Sequence, residues 1–117
     1  NPGSLFSLIP NEGVLHMLVV VAEVTVAAGA IEGVRDALAT METESRNEPG
    51  CQTYAFSVDV NDATMVRITE RWDSMDALQA HFKTPHMAAF GAAIAQVQPS
   101  NMDVKVYEIA KEVELPR

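Results

Sequence analysis

The chain has a single cysteine, Cys51, among 117 residues, so no internal disulfide can close. That excludes a stapled secreted scaffold and points to a reducing, cytoplasmic setting. Basic residues are also scarce, with 8 Lys and Arg against 16 Asp and Glu and a formal net charge of −8. Nucleic acid and anionic membrane surfaces both require clustered Lys and Arg, so neither is an expected partner. The apolar run from Leu18 to Ala22 is far shorter than the roughly 20 residues that cross a bilayer. A Gly-rich phosphate loop, a nucleophile elbow and a dinucleotide fingerprint are all missing. The three histidines are His16, His81 and His86. Pro85 separates His81 from His86, five residues apart, and breaks the helical face that a zinc pair would need. No metal or other cofactor is expected.

What remains is ordinary for one globular domain: 48% hydrophobic and 21% charged residues. Residues 1–16 contain Pro2, Gly3, Pro10, Asn11 and Gly13 and lack the basic start and apolar core of a signal peptide. They read as an irregular arm or an expression-derived extension, ahead of a domain spanning 17–117.

Within that domain the hydrophobic period changes repeatedly. Met17 to Ala27 is Val-rich and reads as a strand apolar on both faces, with Val19 and Val21 opposite Leu18, Val20, Val24 and Val26. From Ala30 to Asn47, Ile31, Val34, Leu38 and Met41 recur at helical spacing, and Glu48-Pro49-Gly50 ends the helix. Cys51 to Val60 is a second strand with Tyr54, Phe56, Val58 and Val60 on one face. Asn61-Asp62 suits a tight turn of positive φ. Thr64 to Trp72 is the third strand, with Val66, Ile68, Glu70 and Trp72 on one face. Asp73 and Ser74 can cap a helix carrying Met75, Leu78 and Phe82, and Thr84-Pro85 starts another through Met87, Phe90, Ile94 and Val97. After a turn at Pro99-Ser100-Asn101, Met102 to Val113 closes the order with a strand.

That order is the ferredoxin-like βαββαβ pattern of the α+β class. Helices cover one sheet face. The other is expected to hold Val, Tyr and Phe, an apolar surface that a second copy would bury in a dimeric α+β barrel.

Three segments point further: Glu48-Pro49-Gly50-Cys51, Glu70-Arg71-Trp72-Asp73-Ser74 and His81-Phe82-Lys83-Thr84-Pro85-His86. Together, at this spacing, they resemble the antibiotic biosynthesis monooxygenase family over about Met17 to Lys111. The resemblance implies a homodimer with a pocket between sheet and helices in each protomer and no built-in metal or flavin. It also implies an oxygenase of small aromatic, quinol or polyketide-like compounds, in which an acidic phenol passes an electron to molecular oxygen. Relatives of other kinds cleave haem, or isomerise or process small signalling molecules. The haem-degrading branch uses an Asn on the first strand and a late helical His, and Ala22 and Gly91 occupy those places here, so haem is not expected.

Each candidate residue has a chemical and a structural reading. His81, at the edge of an apolar stripe, suits a base that deprotonates a phenol, or a histidine bonded to a neighbouring backbone or carboxylate group. Glu70, an acid among apolar neighbours, reads as a second base, an orienter of His81, or half of an ion pair. Trp72 is a stacking wall for an aromatic substrate or a core anchor. Tyr54 and Phe82 are cavity walls or packing. His86 is a substrate contact or a residue of the helix cap or subunit interface. Glu23, in mid-strand, is expected to pair with an Arg. Cys51 has no neighbouring base in sequence to activate it. The alternatives to an oxygenase are a non-catalytic dimeric ligand-binding or stress-response module and an isomerase of a small oxygenated metabolite.

Overall fold

The computed structural model describes residues 16–116, so the reading of residues 1–15 lies outside the described part. The elements run β1 (Leu18–Thr25), α1 (Ala30–Arg46), β2 (Cys51–Val58), β3 (Met65–Trp72), α2 (Met75–His81), α3 (Pro85–Ala95) and β4 (Ser100–Glu108). The four strands form one antiparallel sheet in the order β2-β3-β1-β4. The crossover from β1 through α1 to β2 leaves a gap that β3 fills, which is the split βαβ of the expected ferredoxin-like fold.

β1 alternates strictly. Leu18, Val20, Ala22 and Val24 are buried, and the residues between them are half-exposed. The register places Leu18 opposite Trp72, Val20 opposite Glu70 and Ala22 opposite Ile68, so these side chains share the face under the helices. On β2, Tyr54 pairs with Glu70 and Phe56 with Ile68, which puts both aromatics on that same face. The opposite sheet face agrees with expectation for Val and Tyr but not for Phe. It holds Val19, Val21 and Tyr107, whereas Tyr54 and Phe56 lie under the helices, and Arg67 bonds Glu23 there at 2.9 Å and Asp59 at 2.7 Å. The physical reason is register: a period of two sends Tyr54 and Phe56 wherever Glu70 and Ile68 go. The expected Arg partner of Glu23 is Arg67.

α1 buries Val34, Leu38, Met41 and Ser45, a stripe at spacings of three and four. It ends at Arg46, capped by Asn47, and Gly50 then turns the chain into β2 at φ 84°. A Cβ added to Gly50 would lie 2.6 Å from the Cβ of Ala77 on α2, so glycine serves both the left-handed backbone and the close approach. The amide of Asp73 donates to the Gly50 carbonyl at 2.8 Å, stapling the start of β2 to the start of α2.

The caps read from sequence are present. The Ser74 hydroxyl accepts from the Ala77 amide, and the Thr84 hydroxyl accepts from the Met87 amide with Pro85 at the first helical position. The link between β2 and β3 is not the expected two-residue turn of positive φ. Neither Asn61 nor Asp62 has positive φ. Instead Asp59 accepts from the Asn61 amide and Asp62 from the amide and hydroxyl of Thr64, so carboxylates close a longer loop. β4 begins at Ser100, two residues earlier than expected, and ends at Glu108, five before Val113. It is exposed along its whole length.

Candidate active site

A cavity of about 310 Å³ lies between the sheet and the pair α2 and α3. Its wall is mainly apolar, with Val20, Ala22, Leu78, Phe90 and Ile94 among the lining residues. Tyr54, Glu70 and His81 supply its polar groups. Phe82 lies on the rim, 61% exposed. Ala22 and Gly91 also line the cavity, and neither carries a ligand atom for iron.

His81 is the last residue of α2, and its side chain is almost wholly buried. Its ring lies 4.8 Å from that of Trp72 and 5.5 Å from that of Tyr54, between centroids. Nδ1 lies 2.6 Å from Oε2 of Glu48. A carboxylate oxygen only accepts, so this contact places a proton on Nδ1, and in the neutral ring Nε2 then carries the lone pair. His86, in the first turn of α3, brings its Nε2 to the same Glu48 oxygen at 2.7 Å. Thr84 ties the two histidines together, since its hydroxyl donates to the His81 carbonyl at 2.7 Å while capping α3.

Glu70 stands on the cavity face of β3. Trp72 Nε1 donates to its Oε1 at 2.9 Å. Burial raises the Glu70 carboxyl above its ordinary range, against the opposing influence of the Trp72 hydrogen bond and the His81 ring. Burial, with the nearby Glu70 charge adding to it, drives the Tyr54 phenol far above its usual value, so that it stays protonated and acts as a hydroxyl donor. Cys51 is pushed up to about 11 by burial and then by Glu48 and Glu70, which leaves it a poor nucleophile at neutral pH.

The fold thus gathers four of the sequence candidates, Tyr54, Glu70, His81 and Phe82, around one cavity. Two others sit elsewhere. Trp72 is fully buried and does not line the cavity; it reaches the site through Glu70 and the His81 ring. His86 does not line it either, because its ring turns to Glu48 and borders a smaller groove between α1 and α3. The ion pairs considered for Glu70 are absent: Arg67 and Arg71 point to the other sheet face, where Arg71 Nε donates to the Thr53 hydroxyl. The partner that orients His81 is Glu48 rather than Glu70. In sequence Glu48 reads only as part of a helix stop. It lies in an irregular turn where no periodicity marks a face, and only the convergence of α1, α2 and α3 reveals its contacts.

The donor atoms of Glu48, His81 and His86 all lie within 4.8 Å of one another. Helical spacing does not forbid His81 and His86 from meeting, because they sit on two helices joined by a tight corner.

Comparison with known proteins identifies the family of the fold that carries this site. Residues 17–93 match the family profile described as antibiotic biosynthesis monooxygenase. The probable quinol monooxygenase YgiN of Escherichia coli K12 is 34% identical over 88 residues, covering 67% of this chain and 85% of that protein. An uncharacterised Synechocystis protein is 33% identical over 67 residues, 57% of this chain, and the match spans 46% of that protein's length. Among solved structures, a Deinococcus radiodurans protein superposes with a TM-score of 0.77 at 21% identity, covering 86% of this chain and 99% of its own. Rv0793 of Mycobacterium tuberculosis superposes with a TM-score of 0.74 at 24% identity, covering 84% and 99%. Sequence profile, relatives and fold converge: the chain belongs to the antibiotic biosynthesis monooxygenase family.

Proposed function

We propose that this protein is a cofactor-independent monooxygenase of a small aromatic, quinol or polyketide-like compound. The observation that carries this reading is His81, buried at the wall of an apolar cavity, with Nδ1 bonded to Glu48 and Nε2 left to accept a proton. A phenol bound there loses its proton to Nε2, and Glu48 stabilises the charge that develops on the ring. The electron-rich anion passes one electron to molecular oxygen, and the two radicals join as a peroxide at the substrate carbon. His81 returns its proton to the terminal peroxide oxygen, and the same carbon gives up its hydrogen as a proton while the O–O bond breaks, so water leaves and a carbonyl remains. One oxygen atom enters the product, the other leaves as water, and the substrate supplies all the electrons. Tyr54 and the carboxyl of Glu70 offer hydrogen bonds to substrate oxygens, while the apolar wall excludes water. Trp72 and His86 act through Glu70 and Glu48 respectively.

The reading includes a homodimer. Met102, Val104 and Val106 are each about half exposed on β4, at the sheet edge and beside the cavity mouth, and Tyr107, equally exposed, lies on the opposite face beside Val19. A second copy covering them would close the cavity and bury the mixed face that holds Val19 and Val21.

The test is oxygen consumption by chelator-treated protein across a panel of quinols and anthrone-like phenols. Wild-type protein should consume oxygen in step with product, and His81→Ala should slow turnover by about 10²-fold or more. Turnover that continues without oxygen would make the protein an isomerase, and ligand binding without turnover would make it a binding module.

A further inference from the structure

The trio behind the cavity wall has a chemistry that proton transfer alone does not use. Among the described residues, Glu48, His81 and His86 form the one group of three or more His, Cys, Asp or Glu side chains whose donor atoms converge. They come from three places in the chain: the turn after α1, the end of α2 and the start of α3. All three side chains are largely withdrawn from solvent, with exposures of 9%, 2% and 16% respectively. Two imidazole nitrogens meet one carboxylate oxygen, and no second hydrogen bond is made to the remaining Glu48 oxygen among the described residues.

We propose that Glu48, His81 and His86 bind a divalent transition-metal ion of the zinc class, and that its occupancy takes His81 out of the proton-accepting role. Two imidazoles and one carboxylate make a nitrogen-rich set that suits zinc, cobalt or nickel and leaves a fourth position for water. Magnesium and calcium require six or more oxygen donors and have too few here.

The adjustment required is small. Four ligands at about 2.0–2.1 Å in a tetrahedron place donor atoms about 3.3 Å apart. The pairs at 2.6 and 2.7 Å therefore open by about 0.6–0.7 Å as the metal replaces the two hydrogen bonds, while the two imidazole nitrogens, within 4.8 Å of each other, settle at the same spacing. α3 can supply that movement, because none of its residues is fully buried and His86 lies in its first turn. The Thr84 clamp keeps the link to His81 short while this happens. Entry is from the groove of about 230 Å³ between α1 and α3, where His86 and Asp36 share the lining. This side is separate from the substrate cavity.

The effect on His81 follows from its tautomer and rests on the oxygenase reading above. In the metal-free protein Nδ1 carries the proton and Nε2 the lone pair. Ligation through Nδ1 moves the single proton of the neutral ring to Nε2, so no proton is released. Nε2 then carries an N–H in place of its lone pair and cannot accept from a phenol. His86 undergoes the mirror change, with Nε2 ligated and the proton on Nδ1.

The experiment titrates the full, chelator-stripped chain with Co²⁺, read by visible ligand-field absorption, and with Zn²⁺, read by calorimetry. One ion per chain is expected, weakened tenfold or more in His86→Ala and in Glu48→Gln and unchanged in His16→Ala. His86→Gln, which keeps side-chain bulk, serves if His86→Ala does not fold. Absence of saturable binding, or affinity indifferent to both His86 variants, would overturn the site. For the second half, ¹⁵N shifts of the His81 ring should report movement of the proton from Nδ1 to Nε2 on adding Zn²⁺. Oxygen uptake should fall as Zn²⁺ saturates and return with chelator. Unmoved ¹⁵N shifts, or uptake that needs the metal, would overturn that half. If no substrate turns over at all, the oxygenase reading fails, while the Co²⁺ titration and the ring shifts still decide the metal site.

Discussion

Glu70 carries a cost at the scale of a single residue. An unfolded chain would ionise it near its ordinary value of 4.5, whereas burial in the fold holds its carboxyl above that. Below pH 4.5 both states keep the proton and the group contributes nothing to the balance. As pH rises past that value the unfolded chain binds fewer protons than the native one, so the native state loses stability until Glu70 itself ionises. Glu70→Gln removes the charge and keeps an oxygen to accept from Trp72 Nε1. The variant should therefore melt higher than wild type at pH 7, with the gap narrowing as pH falls toward 4.5 and gone below it. Thermal melts across that range check the sign. A variant that melts lower at pH 7 would mean that Glu70 is held ionised by favourable partners. The same carboxyl is a candidate hydrogen-bond donor to substrate, so a stability gain accompanied by slower oxygen uptake would fit an acid kept for chemistry rather than packing. Sequence made Glu70 and His81 visible as polar residues in apolar stripes. It could not make Glu48 visible, because a turn residue has no face until the helices around it are placed.

At the scale of elements, the corner after α1 has to be built closely. Gly50 combines positive φ with a contact on Ala77 that leaves no room for a methyl group. Gly50→Ala should cost about 1–3 kcal/mol, from left-handed strain and from displacement of α2. Because Glu48 lies two residues before this corner, the variant should also disturb the Glu48 to His81 bond. Denaturant unfolding measures the first effect, and the histidine ring NMR shifts measure the second. A loss under about 0.5 kcal/mol would place the variant among ordinary surface changes and sink the argument. The helix signals themselves were legible. Ser74 and Thr84 cap where a short polar side chain precedes an apolar stripe, and Pro85 occupies the first position of α3. The loop between β2 and β3 was not, because Asp59 and Asp62 satisfy its amides with side chains and remove the need for positive φ at Asn61 or Asp62.

At the scale of the whole molecule, the sheet is covered on one face only. Apolar side chains on β4 remain half exposed, while Arg67, Glu23 and Asp59 make part of the open face polar. Such a surface fits a partner that buries Val19, Val21 and Tyr107 and leaves the ion pairs at the rim. Light scattering at micromolar concentration should give twice the chain mass, and Tyr107→Glu should shift the population toward monomer. A wild-type monomer would remove the dimer from the proposal without touching the fold.

The alternation of Leu18, Val20, Ala22 and Val24, the helical stripe of Val34, Leu38 and Met41, and the caps at Ser74 and Thr84 are local patterns. Their spacing along the chain was enough to determine element order and the α+β class. The meeting of Glu48, His81 and His86, the placing of Trp72 beneath the site rather than in its wall, and the turning of Tyr54 toward the helices were decided by tertiary structure alone. Each depends on strand register or on the angle between packed helices, and neither quantity is written in the spacing of residues along one segment.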